Sequence, residues 1–224
     1  MRTDGGLRRR AGRLIDAGRT WPFTLSFTAA VTIIGVLSGT AWRDRHADLK
    51  AAIGTDLDVL LRLRLYRFVV SPFYQSNPGV GWSMVLMLLL FVGALEYATG
   101  TRRAAATFFV ADFAGSAGGI VLLAVLGEIG WGYAHHAART PDCGSSIGMF
   151  GCAAAVGALL PGRWRWLALG PLYGFLLPSF LWFSFATWAQ HLINVSAAAG
   201  LAALAWRRGA VRMPPLVEPG RRVV

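Results

Sequence analysis

The sequence predicts an all-α polytopic membrane protein with six transmembrane helices and both termini in the cytoplasm. Three observations carry that expectation. Hydrophobic residues make up 55% of the 224-residue chain and charged residues only 15%, whereas a soluble domain usually carries about 25% charged residues. Mean hydropathy is +0.50. The 22 Lys and Arg and 11 Asp and Glu, net +11, fall mostly between long charge-free runs. This composition excludes disorder, collagen-like repeats and an ordinary soluble enzyme. Two cysteines exclude a disulfide scaffold.

A spanning helix needs about 20 mostly apolar residues. On that criterion helices are predicted at about 21–42, 80–97, 104–126, 144–161, 167–183 and 186–206. The first lies between Arg19 and Arg43. Its long basic lead and its length read as an uncleaved anchor rather than a signal peptide, although residues 38–41 are small. The second reaches Glu96, the third contains a single charge at Asp112, and the fourth stops at Pro161. The fifth and sixth share a stretch with no formal charge, 166–206, with a turn expected near 184–186. Residues 1–20 form a basic cytoplasmic tail, 21–206 the transmembrane domain, and 207–224 a second cytoplasmic tail.

Arginine placement sets the orientation. With the N-terminus inside, the inner segments hold 15 of the 22 basic residues, among them Arg102, Arg103, Arg163, Arg165, Arg207 and Arg208. The outer loops hold seven, against six acids. Anchoring thus accounts for the net charge, with some attraction to anionic lipid. The lipid bilayer is an expected partner and nucleic acid is not. Residues 57–68 of the long first outer loop mix leucine with arginine. Two placements are open: in the headgroup plane with arginines snorkelling, or folded on top of the bundle.

Ionisable groups in hydrocarbon need a reason. Glu96 lies about 9–10 Å from the inner surface by helical rise, and an ion pair with Arg103, two turns along one face, is its expected role. Asp112, about 13 Å deep, is expected to face the bundle interior. Ser146 lies 17 residues before Arg163 and His191 lies 16 before Arg207. Both therefore sit about 24–26 Å from the inner face, at one level near the outer surface. Equal depth permits a hydrogen bond between helices four and six. A histidine beside a serine can serve as its general base. The alternative is plain packing, with Ser146 as one small residue in a close contact and His191 as interhelical glue. Asp142 is placed to cap the start of helix four. His135, His136, Asp142, Cys143 and His191 lack any standard zinc spacing, so no metal and no cofactor is expected.

At these residues the chain resembles the rhomboid superfamily of intramembrane serine proteases. Gly144 and Ser146 match the Gly-x-Ser-Gly motif at the start of helix four, and His191 matches the helix-six histidine. The phrase Asp142-Cys143-Gly144-Ser145-Ser146-Ile147-Gly148 is closer to a divergent actinobacterial rhomboid-like group. The similarity covers roughly residues 60–206 and implies a rhomboid-like six-helix bundle in a bacterial plasma membrane. It implies Ser146 as nucleophile and His191 as base, supported by Gly144, Gly148 and Asp142, with transmembrane proteins as substrates. Three departures stand out. Ile147 replaces the glycine after the serine, and Ile193 and Asn194 follow the histidine where small residues are usual. Val80 and Met84 fall where the resemblance implies a helix-two His and Asn that hold the oxyanion. Asn77, Ser83 and the His135–His136 pair are the candidate replacements. The same departures imply the other reading: an inactive rhomboid-like pseudoprotease that binds client helices.

Overall fold

The computed structural model describes residues 21–40, 42, 46–75, 81–181 and 184–208. The tails at 1–20 and 209–224, together with Asn77 and Val80, lie outside the described residues. The described chain is all-helical. Its one non-helical pairing is an isolated antiparallel bridge between Thr55 and Asp142.

Trp21 precedes α1 (Pro22–Ser38), with proline at its first position, where a missing N–H costs nothing. Gly39 closes α1 at φ 76°, a left-handed cap that stops the helix short of the expected residue 42. After α1 come α2 (His46–Ile53), α3 (Leu57–Leu61) and α4 (Tyr66–Val70), then a 3-10 turn (Ser71–Phe73). Next come α5 (Gly81–Met87), a π-helical turn (Leu88–Val92) and α6 (Gly93–Thr99). These three make one continuous helical run. After Gly100, α7 (Thr101–Glu128) is the longest helix, and α8 (Gly132–Ala138) is a short helix the sequence pattern did not announce. Three more helices follow: α9 (Ser146–Leu159), α10 (Arg163–Leu176) with a 3-10 extension (Pro178–Leu181), and α11 (Phe185–Arg207). Pro178 cannot donate to the preceding turn, so regular helix ends before it.

Two of these stretches are long and apolar enough to cross a membrane: 82–99, mean hydropathy 1.7, and Thr101–Glu128, mean hydropathy 2.0. The apolar helices α1 and α9 have 17 and 14 residues. At 1.5 Å per residue they measure about 25 and 21 Å, short of a hydrocarbon core about 30 Å thick.

The bundle is built around α9. Ten of its 14 residues are buried, and a helix apolar on all sides belongs in an interior. One face packs with Phe27, Leu88, Val92 and Phe108, from α1, the π turn and α7. The other packs with Leu169, Leu176 and Val195, from α10 and α11. Its most extensive partner is α11. That closeness depends on Gly151, where a Cβ would collide with Asn194 of α11 and Ala111 of α7.

The 57–68 segment takes the second of the two placements left open, folded on the bundle. Val59 and Phe68 are buried against Ala117 and Ile120 of α7, which seats the loop on the bundle. Leu61, Leu63, Leu65 and Tyr66 remain exposed on its outer side.

The expected Glu96–Arg103 ion pair is not formed. Glu96 turns to α1 instead: Oε1 accepts from the Phe23 N–H at 3.0 Å, and Oε2 accepts from the Thr24 N–H and hydroxyl, both at 2.7 Å. The first N–H groups of a helix have no partner in their own backbone and carry partial positive charge. A carboxylate that is 1% exposed gains more from three aligned donors than from one flexible guanidinium. Glu96→Gln turns an NH2 group toward donors. It is expected to lower stability in detergent by about 1–3 kcal/mol. Arg103→Gln should leave the melting temperature where it was. Thermal unfolding of the two variants side by side checks the reassignment.

Candidate functional site

The site lies at the N-terminal end of α9, some 20 Å by helical rise from Leu159 at its other end. Gly144 leads into the helix at φ 148°, a conformation that strains residues with a side chain. Ser145 is the N-cap residue and Ser146 the first helical residue. The expected cap, Asp142, does not reach the helix. Its Oδ1 accepts from the adjacent Cys143 N–H at 2.9 Å, and its backbone exchanges hydrogen bonds with Thr55. The capping group comes from α7: the carboxyl Oδ1 of Asp112, 1% exposed, accepts the Gly148 N–H at 3.1 Å. Gly148 also admits Phe108, whose ring lies where a Cβ would project.

Two further side chains hold this end in place. Gln75 donates from Nε2 to the buried Ser145 hydroxyl at 2.9 Å and to the Pro72 carbonyl at 3.4 Å. Asn194 of α11 donates from Nδ2 to the Ile147 carbonyl. Among the described residues, none accepts from the backbone N–H groups of Ser146 or Ile147.

Ser146 and His191 line one cavity of about 380 Å3, together with Gln75, Ser83, Asp142 and Thr187. Met84, Met87, Phe150 and Phe175 supply its apolar walls. His191 is 4% exposed. Its Nδ1 lies 2.7 Å from the Thr187 carbonyl oxygen. A carbonyl only accepts, so Nδ1 carries the proton in the neutral ring and Nε2 carries the lone pair. Phe150 fixes the ring plane from the side, centroids 5.2 Å apart at 76°.

Asp142 lies in the wall of this cavity and also of a second one of about 290 Å3 lined by Lys50, His136 and Gln190. Burial raises its carboxyl above the ordinary aspartate range, while Lys50, the Cys143 N–H and His191 pull it back down. Burial, with the Asp142 charge adding to it, pushes the neighbouring Cys143 thiol up to about 11. Cys143 and Cys152 are both free thiols.

The replacements proposed for the missing oxyanion donor separate cleanly. Ser83 reaches the cavity, whereas His136 faces the second cavity and His135 pairs with Arg139, at 3.2 Å to Nε2. Among the described residues no group of three or more His, Cys, Asp or Glu is placed to hold a metal ion. Sequence reasoning missed Gln75, Ser145, Thr187 and Asn194 as builders of the site. Gln75 is an amide just before one apolar run and Asn194 an amide inside another, which is the signal that was there to be weighed.

Two measurements probe this geometry. Gly151→Val should cost about 1–3 kcal/mol through overpacking against Asn194 and Ala111, read as a lower melting temperature. Only the thiolate is nucleophilic, so iodoacetamide alkylation of Cys143 in the folded chain should still rise about tenfold per pH unit between pH 9 and 10. Levelling near pH 9 would show an unperturbed thiol. Asp142→Asn removes a repelling charge and should move the profile to lower pH.

No protein-family model, curated protein or solved structure matches this sequence.

Proposed function

We propose that this chain is an intramembrane serine endopeptidase of rhomboid-like type, with six spans and both termini in the cytoplasm. The observation that carries the reading is the common cavity of Ser146 and His191. Its basis is the shared wall rather than a Ser146–His191 hydrogen bond. Support for the spans comes from helix ends. The Glu96 contacts bring the start of α1 beside the end of α6. Arg103, Thr99, Leu159 and Ala205 line a single cavity, so α6, α7, α9 and α11 share one end. The exposed Arg102, Arg103, Arg207 and Arg208 cluster at that end, as positive-inside placement requires.

In this mechanism a substrate helix unwinds at the opposite end of the bundle. Ser146 Oγ attacks the peptide carbonyl carbon, and its proton passes to His191 Nε2. The Nδ1–H bond to Thr187 O keeps the ring in the tautomer that can accept it. The N–H groups of Ser146 and Ile147, at the positive end of α9, face the developing oxyanion. The imidazolium then returns the proton to the leaving amine, and a water repeats the cycle to release the acyl group. Asp142, in the same wall, stabilises the imidazolium.

A second reading rests on Met84. It occupies the cavity wall where the resemblance implies a polar donor. Loss of one such donor costs about 10²–10³ in rate, which would suit a pseudoprotease that holds client helices uncut.

A fluorophosphonate probe on the purified chain separates the two. Protease chemistry predicts labelling of the parent and of Ser145→Ala. It predicts loss to background, on the order of 10³-fold or more, for Ser146→Ala and His191→Ala. Equal labelling of parent and Ser146→Ala favours the client-binding reading.

A further inference from the structure

The glycines of α7 are unevenly distributed, and a groove results. At Gly115, Gly118 and Gly119 a Cβ would press on Asn194, Ile193 and Gln190 of α11, so the two helices meet closely there. Toward the Arg103 end the side chains of α11 shrink to alanine and no longer bridge the gap. A cavity of about 380 Å3 opens between Arg103, Thr107 and Val110 on α7 and Ala198, Ala202 and Ala205 on α11. Val110 and Leu201 at its lips are 52% and 54% exposed, so it opens sideways. Its volume lies in the range of ligand sites, roughly 300–1,000 Å3.

Shape and charge name the occupant. From residue 103 to 110 the groove is about 10 Å long. A stretch of hydrocarbon chain matches that length and the apolar lining of Val110, Leu159, Ala198 and Ala202. The cation at the mouth is unspent. Glu96, its expected partner, is committed to α1, and among the described residues the ion pair present is Arg62–Asp58. Arg102 beside it is also exposed. An apolar slot ending at an unneutralised arginine is complementary to an amphiphile with a negative head.

We propose that this groove seats one acyl chain of an anionic phospholipid, with the lipid phosphate on Arg103. The proposal rests on the membrane placement above but not on the chemistry of Ser146.

Native mass spectrometry of the full chain tests it, with phosphatidylglycerol and phosphatidylcholine of identical acyl chains offered in equal amounts. The expected result is a several-fold excess of phosphatidylglycerol adducts. Arg103→Gln should cut that excess at least threefold, and Arg103→Lys should retain most of it. Ala202→Leu, which fills the slot, should reduce adducts of both lipids. Equal adducts in the parent, an unchanged ratio in Arg103→Gln, or a second protein copy in place of lipid overturns the proposal. Alkaline carbonate extraction of membranes separates the two failures. A chain released by the wash refutes the membrane placement, whereas a chain retained by the wash but indifferent to headgroup refutes the groove alone.

Discussion

A helix that starts inside an apolar bundle has N–H groups that its own backbone cannot satisfy, and this constraint organises the molecule. Leaving such a group buried and unpaired costs about 1–3 kcal/mol. The chain meets that cost twice with a carboxyl group from a different helix: Glu96 for α1 and Asp112 for α9. Each bond fixes more than a helix end. Glu96 locks α1 against α6, so the N-terminal helix cannot slide along the bundle. Asp112 locks the level of Ser146 against α7. At the same end Asn194 binds the Ile147 carbonyl from α11, which also carries His191. The register of Ser146 relative to His191 is therefore set by hydrogen bonds on two sides of α9, and not by apolar packing alone.

Small residues make this arrangement possible. Gly148 and Gly151 lie one turn apart along α9, and each replaces a side chain with a neighbour: the Phe108 ring at one, Asn194 and Ala111 at the other. The close approach they permit brings the Asp112 and Asn194 side chains within hydrogen-bond reach of the α9 backbone. The same logic explains where contact fails. Beyond Asn194, α11 offers Ala198, Ala202 and Ala205 against α7, and α7 has no further glycine on that face. The helices separate, and a groove follows from the spacing of glycines.

Much of this was open to reading in the sequence, and the limits are physical. Charge-free runs mark helices because charged groups avoid apolar surroundings, so the segments near 104–126 and 186–206 were visible to within a few residues of Thr101–Glu128 and Phe185–Arg207. Counting helical rise placed Ser146 and His191 at one level, and one cavity holds both. The partners of the buried acids were not readable. Glu96 and Arg103 are seven apart, and periodicity rewards such a pair. The true partner, the start of α1, lies 72 residues away, and its donors are backbone groups that every sequence has. The Gln75–Ser145 and Asn194–Ile147 contacts are equally long-range. The short α8 was hidden because its seven residues, Gly132–Ala138, give too few turns for a period.

For the proposed chemistry the decisive question is what holds the oxyanion, and the hydrogen bonds around Ser146 narrow it. Gln75 is a polar side chain in contact with Ser145, yet its amide nitrogen is engaged by both Ser145 and Pro72. Recruiting it would cost a bond about as strong as the one gained, so its contribution is to position the serine loop. Asp112 removes the Gly148 N–H in the same way. What is left at the tip of α9 is the pair of N–H groups on Ser146 and Ile147, aligned with the helix dipole and needing no rearrangement when charge develops. In the proposed mechanism, an apolar Met84 on the α5 side lowers the rate without removing this pair. On the proposed protease reading, Met84 bears on the rate of the reaction, and the backbone of α9 on whether it proceeds at all.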